Sequence, residues 1–335
     1  MIYPYQKYIL IKGNYFLTCS YDGDAYLWER KTGEIKYKIK NHANTINSVV
    51  FTKDDKLLLT GSFDNLAMLF EADNGIRIKT FEGHNEEIVE VKMNKEETQF
   101  CTASMDLTSK IFDIEEGKCI LTLSGHKDVV SKCSFNQESN MVLTGSYDKT
   151  CKIFDINNGN ILYDFIEHSK EISNCFFYPK DNNIIITTSL DGLCKVYDIR
   201  NGVQSLKTFD EHNKKEILCS TISSNGKYLA TGGGDNTVIV YDLDEMKKIF
   251  SLIGHNKEIY SLDFTHGNEV KYLISGDGLG ECRIWDINKG ECKQVIESAE
   301  ETEIIASNFS EKNNDILIAD VDNIVRLYTN EIPVN

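Results

Sequence analysis

Imidazole, hydroxyl and carboxylate side chains recur through this 335-residue chain at fixed offsets. His42, His84, His126, His168 and His212 each stand 22 or 23 residues before an aspartate: Asp64, Asp106, Asp148, Asp191 and Asp235. Ser62, Ser104, Ser146 and Ser189 lie two residues before four of those aspartates. A histidine between a hydroxyl and a carboxylate could activate a nucleophile, and a histidine with carboxylates could hold a metal. Repetition argues against both, since one active site needs no five copies and successive copies fall in different units. The expected role is structural. A buried imidazole needs an acceptor, and a turn carboxylate can take its proton while binding backbone N–H groups. The off-register His266, beside Gly267, reads as a solvated loop residue. No phosphate loop, metal cluster or nucleophile elbow stands out, so no catalytic residue and no cofactor is expected.

Composition narrows the partners. Lys plus Arg number 36 against 52 Asp plus Glu, a formal net charge of −16. That balance opposes binding to nucleic acid, which needs cationic surface, and docking on anionic lipid. With 41% hydrophobic residues and three prolines, the chain is not a disordered segment. The ten cysteines form no CxxC pair and match neither a zinc site nor a disulfide framework. No apolar run reaches the roughly 18–20 residues of a membrane helix. The N-terminal MIYPYQKYILIKGNYF has no basic region leading into an apolar core. A cytoplasmic, reducing location is expected.

What positions the recurring residues is a repeat. Aromatic residues end short apolar segments at Trp28, Phe70, Phe112, Phe154, Tyr197, Tyr241, Trp285 and Tyr328, in steps of 42 to 44 residues. Within a unit, runs at 130–135, 141–144, 150–154 and 160–165 are rich in β-formers and separated by Asn, Ser, Asp and Gly. Four short strands fill the period and leave no room for a helix. Such a sheet cannot cover both faces alone, and stacking sheets around an axis does. The chain therefore reads as all-β: one β-propeller domain over 1–335, with seven full four-stranded blades and an incomplete eighth. The units are approximately 1–40, 41–82, 83–124, 125–166, 167–210, 211–253, 254–297 and 298–335.

Gly83-His84, Gly125-His126, Gly254-His255 and Trp285-Asp286 resemble the paired GH and WD dipeptides of the WD-repeat family, with degenerate forms in the other units. The resemblance implies a hydrogen-bonded set of histidine, strand-b Ser or Thr, turn aspartate and strand-c Trp: His84, Ser104 and Asp106, or His126, Ser146 and Asp148, with Phe112 and Phe154 replacing the indole. Unit seven departs, with Leu279 six residues before Trp285 and Asp277 at the spacing from His255, so Gly276–Gly280 reads as a bulged turn. In unit eight, Glu303–Phe309, Ile316–Ala319 and Asn323–Tyr328 read as strands a to c. Unit one's strand a is expected from near Tyr3, which leaves the eighth blade's strand c as an open edge.

Function is then sought on surfaces. The residue before each turn aspartate should reach the upper face: Tyr21, Phe63, Met105, Tyr147 and Leu190 form an apolar arc, followed by Gly234 and Val321. Glu87, Glu171, Glu216, Glu258 and Glu303 each precede an isoleucine that opens a strand a, and equivalent acids can add their fields toward a basic ligand. Partners are expected to be other proteins with basic or apolar docking segments. Finer resemblance, in YPYQKYILIKGNYFLTCSYD, TGSFDN, FEGHNEEIVEV, ASMDLTSKIFDIEEGK and TGSYDKTCKIFD, is to the dynein assembly factors with WD repeats. It implies a non-catalytic adaptor linking axonemal outer-arm dynein to intraflagellar transport, and hence a ciliary location. The alternatives are a general WD scaffold, such as a ubiquitin-ligase substrate receptor or RNA-processing subunit, and a propeller enzyme. The small apolar strands at Val129–Ser134 and Ile172–Phe176 argue against the enzyme.

Overall fold

A computed structural model describes residues 9–12, 15–19, 23–297, 302–310, 315–322 and 324–329. Among them the regular structure is strand, apart from one 3-10 turn at Ile199–Asn201. Among the described residues no helix is long and apolar enough to cross a membrane. Seven antiparallel sheets have four strands and the eighth has three, the blades of the expected propeller. We letter the strands of each blade a to d in chain order. Blade four shows the pattern: Val130–Phe135, Met141–Ser146, Cys151–Asp155 and Ile161–Phe165.

Alternation decides what each strand buries. Strand b is covered on both faces, as in Leu57–Ser62 and Met141–Ser146, whereas strand d exposes most of its residues, as in Ile161–Phe165. Glycine in strand b is a contact requirement. A Cβ on Gly145 would stand 2.8 Å from Ile172 Cγ2 of the following blade, and one on Gly232 would stand 2.7 Å from Ile259 Cγ2. The isoleucine that opens each of these strands a thus plugs the blade before it. Burying such a side chain stabilises by roughly 1.5–3 kcal/mol, and an added methyl opposite it would overpack the site.

The chain divides into two compact units, one of Met1–Thr18, Glu29–Glu34 and Asp210–Asn335, the other of Cys19–Trp28 and Ile35–Phe209. In the first, Ile9–Lys12 lies beside Ile304–Phe309 and Ile316–Asp320, and the Arg30 guanidinium pairs with the fully buried Asp315. The second contains blades two to five. The c–d pairing slips at one equivalent place in seven blades, leaving Lys36, Ile78, Ile120, Leu162, Leu206, Ile249 and Lys293 as the extra residue of a bulge.

Two expectations need correction or restriction. Gly276–Gly280 is no bulged turn: strands b and c of blade seven pair in unbroken register from Tyr272↔Asp286 to Gly276↔Cys282. The chain turns instead through Gly280 at φ 85°. The expected start of blade one near Tyr3 lies outside the described residues, and its strand a is described over Ile9–Lys12. In blade eight, Val325–Tyr328 pairs with Ile316–Asp320, and no further strand flanks it among the described residues.

Candidate functional site

Six histidines sit buried at the start of their blades, each held at both ring nitrogens. In blade three, His84 Nδ1 lies 2.7 Å from Asp106 Oδ2 and Nε2 lies 2.6 Å from Thr102 Oγ1. The same pairs are His42 with Asp64 and Thr60, His126 with Asp148 and Thr144, His168 with Asp191 and Thr187, and His212 with Asp235 and Thr231. Four of the carboxylates also receive two backbone N–H groups, as Asp64 does from Ala43 and Leu66, and Asp235 receives one from Thr237. Burial pushes these aspartates up, but the bond from histidine and the backbone donors outweigh it and hold all five below the ordinary carboxylate range.

The hydroxyl beside the histidine is therefore a threonine, not the serine expected from the sequence. Ser62, Ser104, Ser146 and Ser189 instead donate to the carbonyls of Asn44, Glu86, Asp128 and Lys170. They accept from the backbone N–H of Asp64, Asp106, Asp148 and Asp191. Each serine ties its b–c turn to the segment that opens strand a. Thr and Ser are two residues apart and share a strand face, so alternation alone could not choose between them. A signal was present: blade six has Gly233 at the serine place, while Thr231 keeps the threonine place.

Blade seven is built differently. Asp277 occupies the serine place, is fully buried, and still reaches His255 Nδ1 at 3.0 Å while accepting from the N–H groups of Leu279 and Glu281. Ser275 faces His255 Nε2 at 2.6 Å and also accepts from Trp285 Nε1 at 2.8 Å. The Asp277 carboxylate only accepts, so the ring proton lies on Nδ1 facing it, and Ser275, while accepting the indole N–H, donates its hydroxyl proton to Nε2. Glu281 approaches Nδ1 to 3.3 Å. His255, Asp277 and Glu281 could face a metal ion, but Asp277 holds two backbone donors and Glu281 pairs with Arg283. A nucleophile is also poorly served, because the hydroxyls of Thr60, Thr102, Thr144, Thr187, Thr231 and Ser275 belong to residues with 0% exposure. His266, expected in solvent, has Nε2 3.7 Å from Asp263 Oδ2, a carboxyl that burial pushes up to about 6.

The surface candidates meet at the b–c turn end of blades two to eight. The N–H of Met105 donates to the Glu87 carbonyl, and Leu190 does so to Glu171. Phe63 and Tyr147 make the same bond to Thr45 and Val129. In the other unit the donors are Gly234, Gly278 and Val321, and the acceptors are Glu216, Glu258 and Glu303. Every residue of these pairs is half-buried except the more deeply covered Thr45. The two units differ at the donor place: Ile35–Phe209 carries Phe63, Met105, Tyr147 and Leu190, whereas Asp210–Asn335 carries two glycines and a valine beside three glutamates. Tyr21 lies outside the described residues. Sequence reasoning passed over Tyr260, which adjoins Glu258 in this region.

Comparison with known proteins agrees with this architecture. Over 83 residues the chain is 40% identical to cell division control protein 4 of Saccharomyces cerevisiae, 24% of this chain and 10% of that protein. Over 115 residues it is 31% identical to a U3 small nucleolar RNA-associated protein 15 homolog of Xenopus tropicalis, 34% of this chain and 21% of that one. The chain thus spans a minor part of these relatives. The crystal structure of the computationally designed Ika8 protein superposes with a TM-score of 0.83 at 24% identity, over 97% of this chain and 96% of that one, a likeness of fold. The WD domain, G-beta repeat pattern matches residues 33–71, 75–113, 117–155, 159–198, 203–242 and 246–286. With its histidines, aspartates and blades in that register, the chain belongs to the WD domain, G-beta repeat family.

Proposed function

We propose that the chain is a non-catalytic scaffold that holds protein partners at the b–c turn ends of its blades. The carrying observation is the repeated backbone bond from the residue before the turn aspartate to the residue that opens strand a. It fixes half-buried apolar residues in one unit and half-buried glutamates in both, Glu87 and Glu171 in the first and Glu216, Glu258 and Glu303 in the second, surfaces suited to apolar and to basic docking segments. Affinity purification with mass spectrometry tests it, comparing the native chain with a folded Phe63→Asp, Tyr147→Asp double variant. Loss of the recovered partners is expected, and retention would overturn the apolar docking role. Binding through the acidic set should weaken as salt rises.

Two finer readings divide the scaffold role. The turn triplets SYD, SFD, SMD and SYD and the N-terminal segment support an adaptor linking outer-arm dynein to intraflagellar transport. The relative named for U3 small nucleolar RNA supports an RNA-processing subunit, and a ubiquitin-ligase substrate receptor is a further scaffold role of the same kind. Dynein heavy or intermediate chains in the purified complex would favour the first, and ribonucleoprotein or ligase subunits the others.

A further inference from the structure

The first and last blades meet through a pair of residues that no other blade carries. Thirteen residues before the aromatic that ends its apolar segment, each blade has an uncharged residue, as with Leu57, Met141 and Tyr228, except blade eight, which has Asp315. Two residues after that aromatic, each blade again has an uncharged residue, as with Ile114, Ile199 and Ile287, except blade one, which has Arg30. These two places come together across adjacent blades. Leu57 of blade two shares an apolar cluster with Ile114 of blade three, Met141 of blade four with Ile199 of blade five, and Tyr228 of blade six with Ile287 of blade seven. Where blade eight adjoins blade one, the same two places hold Asp315 and Arg30 as an ion pair. The one acid of the first series thus lies on the one base of the second.

The surroundings make this pair exacting. Asp315 is fully buried, and the Arg30 side chain is only 17% exposed. The Asp315 backbone is fixed, since its N–H donates to Ser310 Oγ at 3.0 Å and its carbonyl accepts from the Ser310 N–H at 2.9 Å. Apart from the ion pair, neither carboxylate oxygen has a hydrogen-bond partner among the described residues. A buried carboxylate without its counter-ion is costly, whereas an intact buried pair is worth little more than an apolar pair of similar volume. Charge at this place therefore adds little to stability and much to discrimination. Blade eight docked against any other blade would strand Asp315, and blade one docked against any other blade would strand Arg30. In a chain of similar repeats, where neighbouring blades meet through interchangeable apolar contacts, such wrong pairings are the main competitors.

We propose that Arg30 and Asp315 act as a registration key that directs blade one onto blade eight and rejects its pairing with any other blade. The key concerns assembly of the scaffold and does not rest on the docking role. The test is refolding of the full chain from urea at low and high protein concentration. Size-exclusion chromatography with light scattering counts oligomers, and amide exchange of Ile304–Phe309 reports whether blade eight has been left out. The main variant is Arg30→Ile, Asp315→Leu, which transplants the Leu57 and Ile114 pair of blades two and three. Its urea midpoint should be no lower than that of the native chain. Its misassembled fraction, in oligomers or in monomers with unprotected Ile304–Phe309, should rise about tenfold. Arg30→Asp alone should also misassemble, and the exchanged pair Arg30→Asp, Asp315→Arg should restore native recovery.

Equal fidelity of refolding in the native chain and the Arg30→Ile, Asp315→Leu variant would overturn the proposal. So would a lowered urea midpoint or a failure to fold in that variant, because the pair would then be a plain stabiliser. An exchanged pair that recovers no better than Arg30→Asp alone would show that shape, and not charge, selects the junction.

Discussion

Blades three and seven perform the same structural task with different atoms. In blade three, Thr102 sits between His84 and the Lys110 carbonyl at 3.3 Å. Phe112, where an indole could stand, stacks on Phe100 at 4.9 Å and meets Phe81 edge-on at 5.8 Å. In blade seven the indole bonds Ser275, and a fully buried carboxylate replaces the turn serine. One blade closes its centre with an aromatic cluster and the other with a proton chain. The lesson is that the histidine–carboxylate pair is the constant, and the group behind the hydroxyl can vary.

The largest expected effect tests that constant. Asp64, Asp106, Asp148, Asp191, Asp235 and Asp277 are all held below their ordinary range. Their contribution is complete above the unfolded value near 4 and is lost as pH falls through the lowered folded values. Circular dichroism should therefore show unfolding on acidification below about pH 4, and Asp106→Asn should soften that transition. Stability that stays level from neutral pH into strong acid would contradict the shared role.

Next in size is the hydroxyl. Ser275→Ala strands both the Trp285 N–H and His255 Nε2, and should cost about 2–4 kcal/mol. Thr102→Ala strands one ring nitrogen and should cost about 1–3 kcal/mol. Urea titration of the two variants checks the order, and equal losses would erase the contrast between the blades.

Smaller still is the exchange of aromatic groups. Trp285→Phe removes one buried donor and some volume, at about 1–3 kcal/mol. Phe112→Trp gains a donor for Thr102 but crowds Phe81 and Phe100, so a net loss of about 1 kcal/mol is expected. A stabilised Phe112→Trp would show that the cluster leaves room for an indole. The smallest effect belongs to blade five, where the buried Tyr197 hydroxyl lies beside Thr187 and makes no well-aligned hydrogen bond among the described residues. Tyr197→Phe should be neutral or stabilising by up to about 1 kcal/mol in thermal melts.

The architecture was legible because repetition multiplies a weak signal. One Gly-His pair means little, whereas eight aromatic-terminated units at 42 to 44 residues permit few alternatives. Strands 130–135 and 160–165 differ from the observed Val130–Phe135 and Ile161–Phe165 by at most one residue. The histidine–aspartate pairing was legible for the same reason. The hydroxyl was not, since Thr102 and Ser104 point to one face and only distance separates them. Blade seven misled because Asp277 moved to the serine place while keeping its bond to histidine, so the turn looked irregular when only its side chains had changed.

The slipped register between strands c and d has its own consequence. An outermost strand is a template for recruiting other chains into fibres, since its amides face outward. With Lys36, Ile78, Ile120, Leu162, Leu206, Ile249 or Lys293 inserted, seven such strands are kinked away from the straight ladder that recruitment requires. The same irregularity, recurring in seven blades, works against edge-to-edge association between copies of a chain with so many strands.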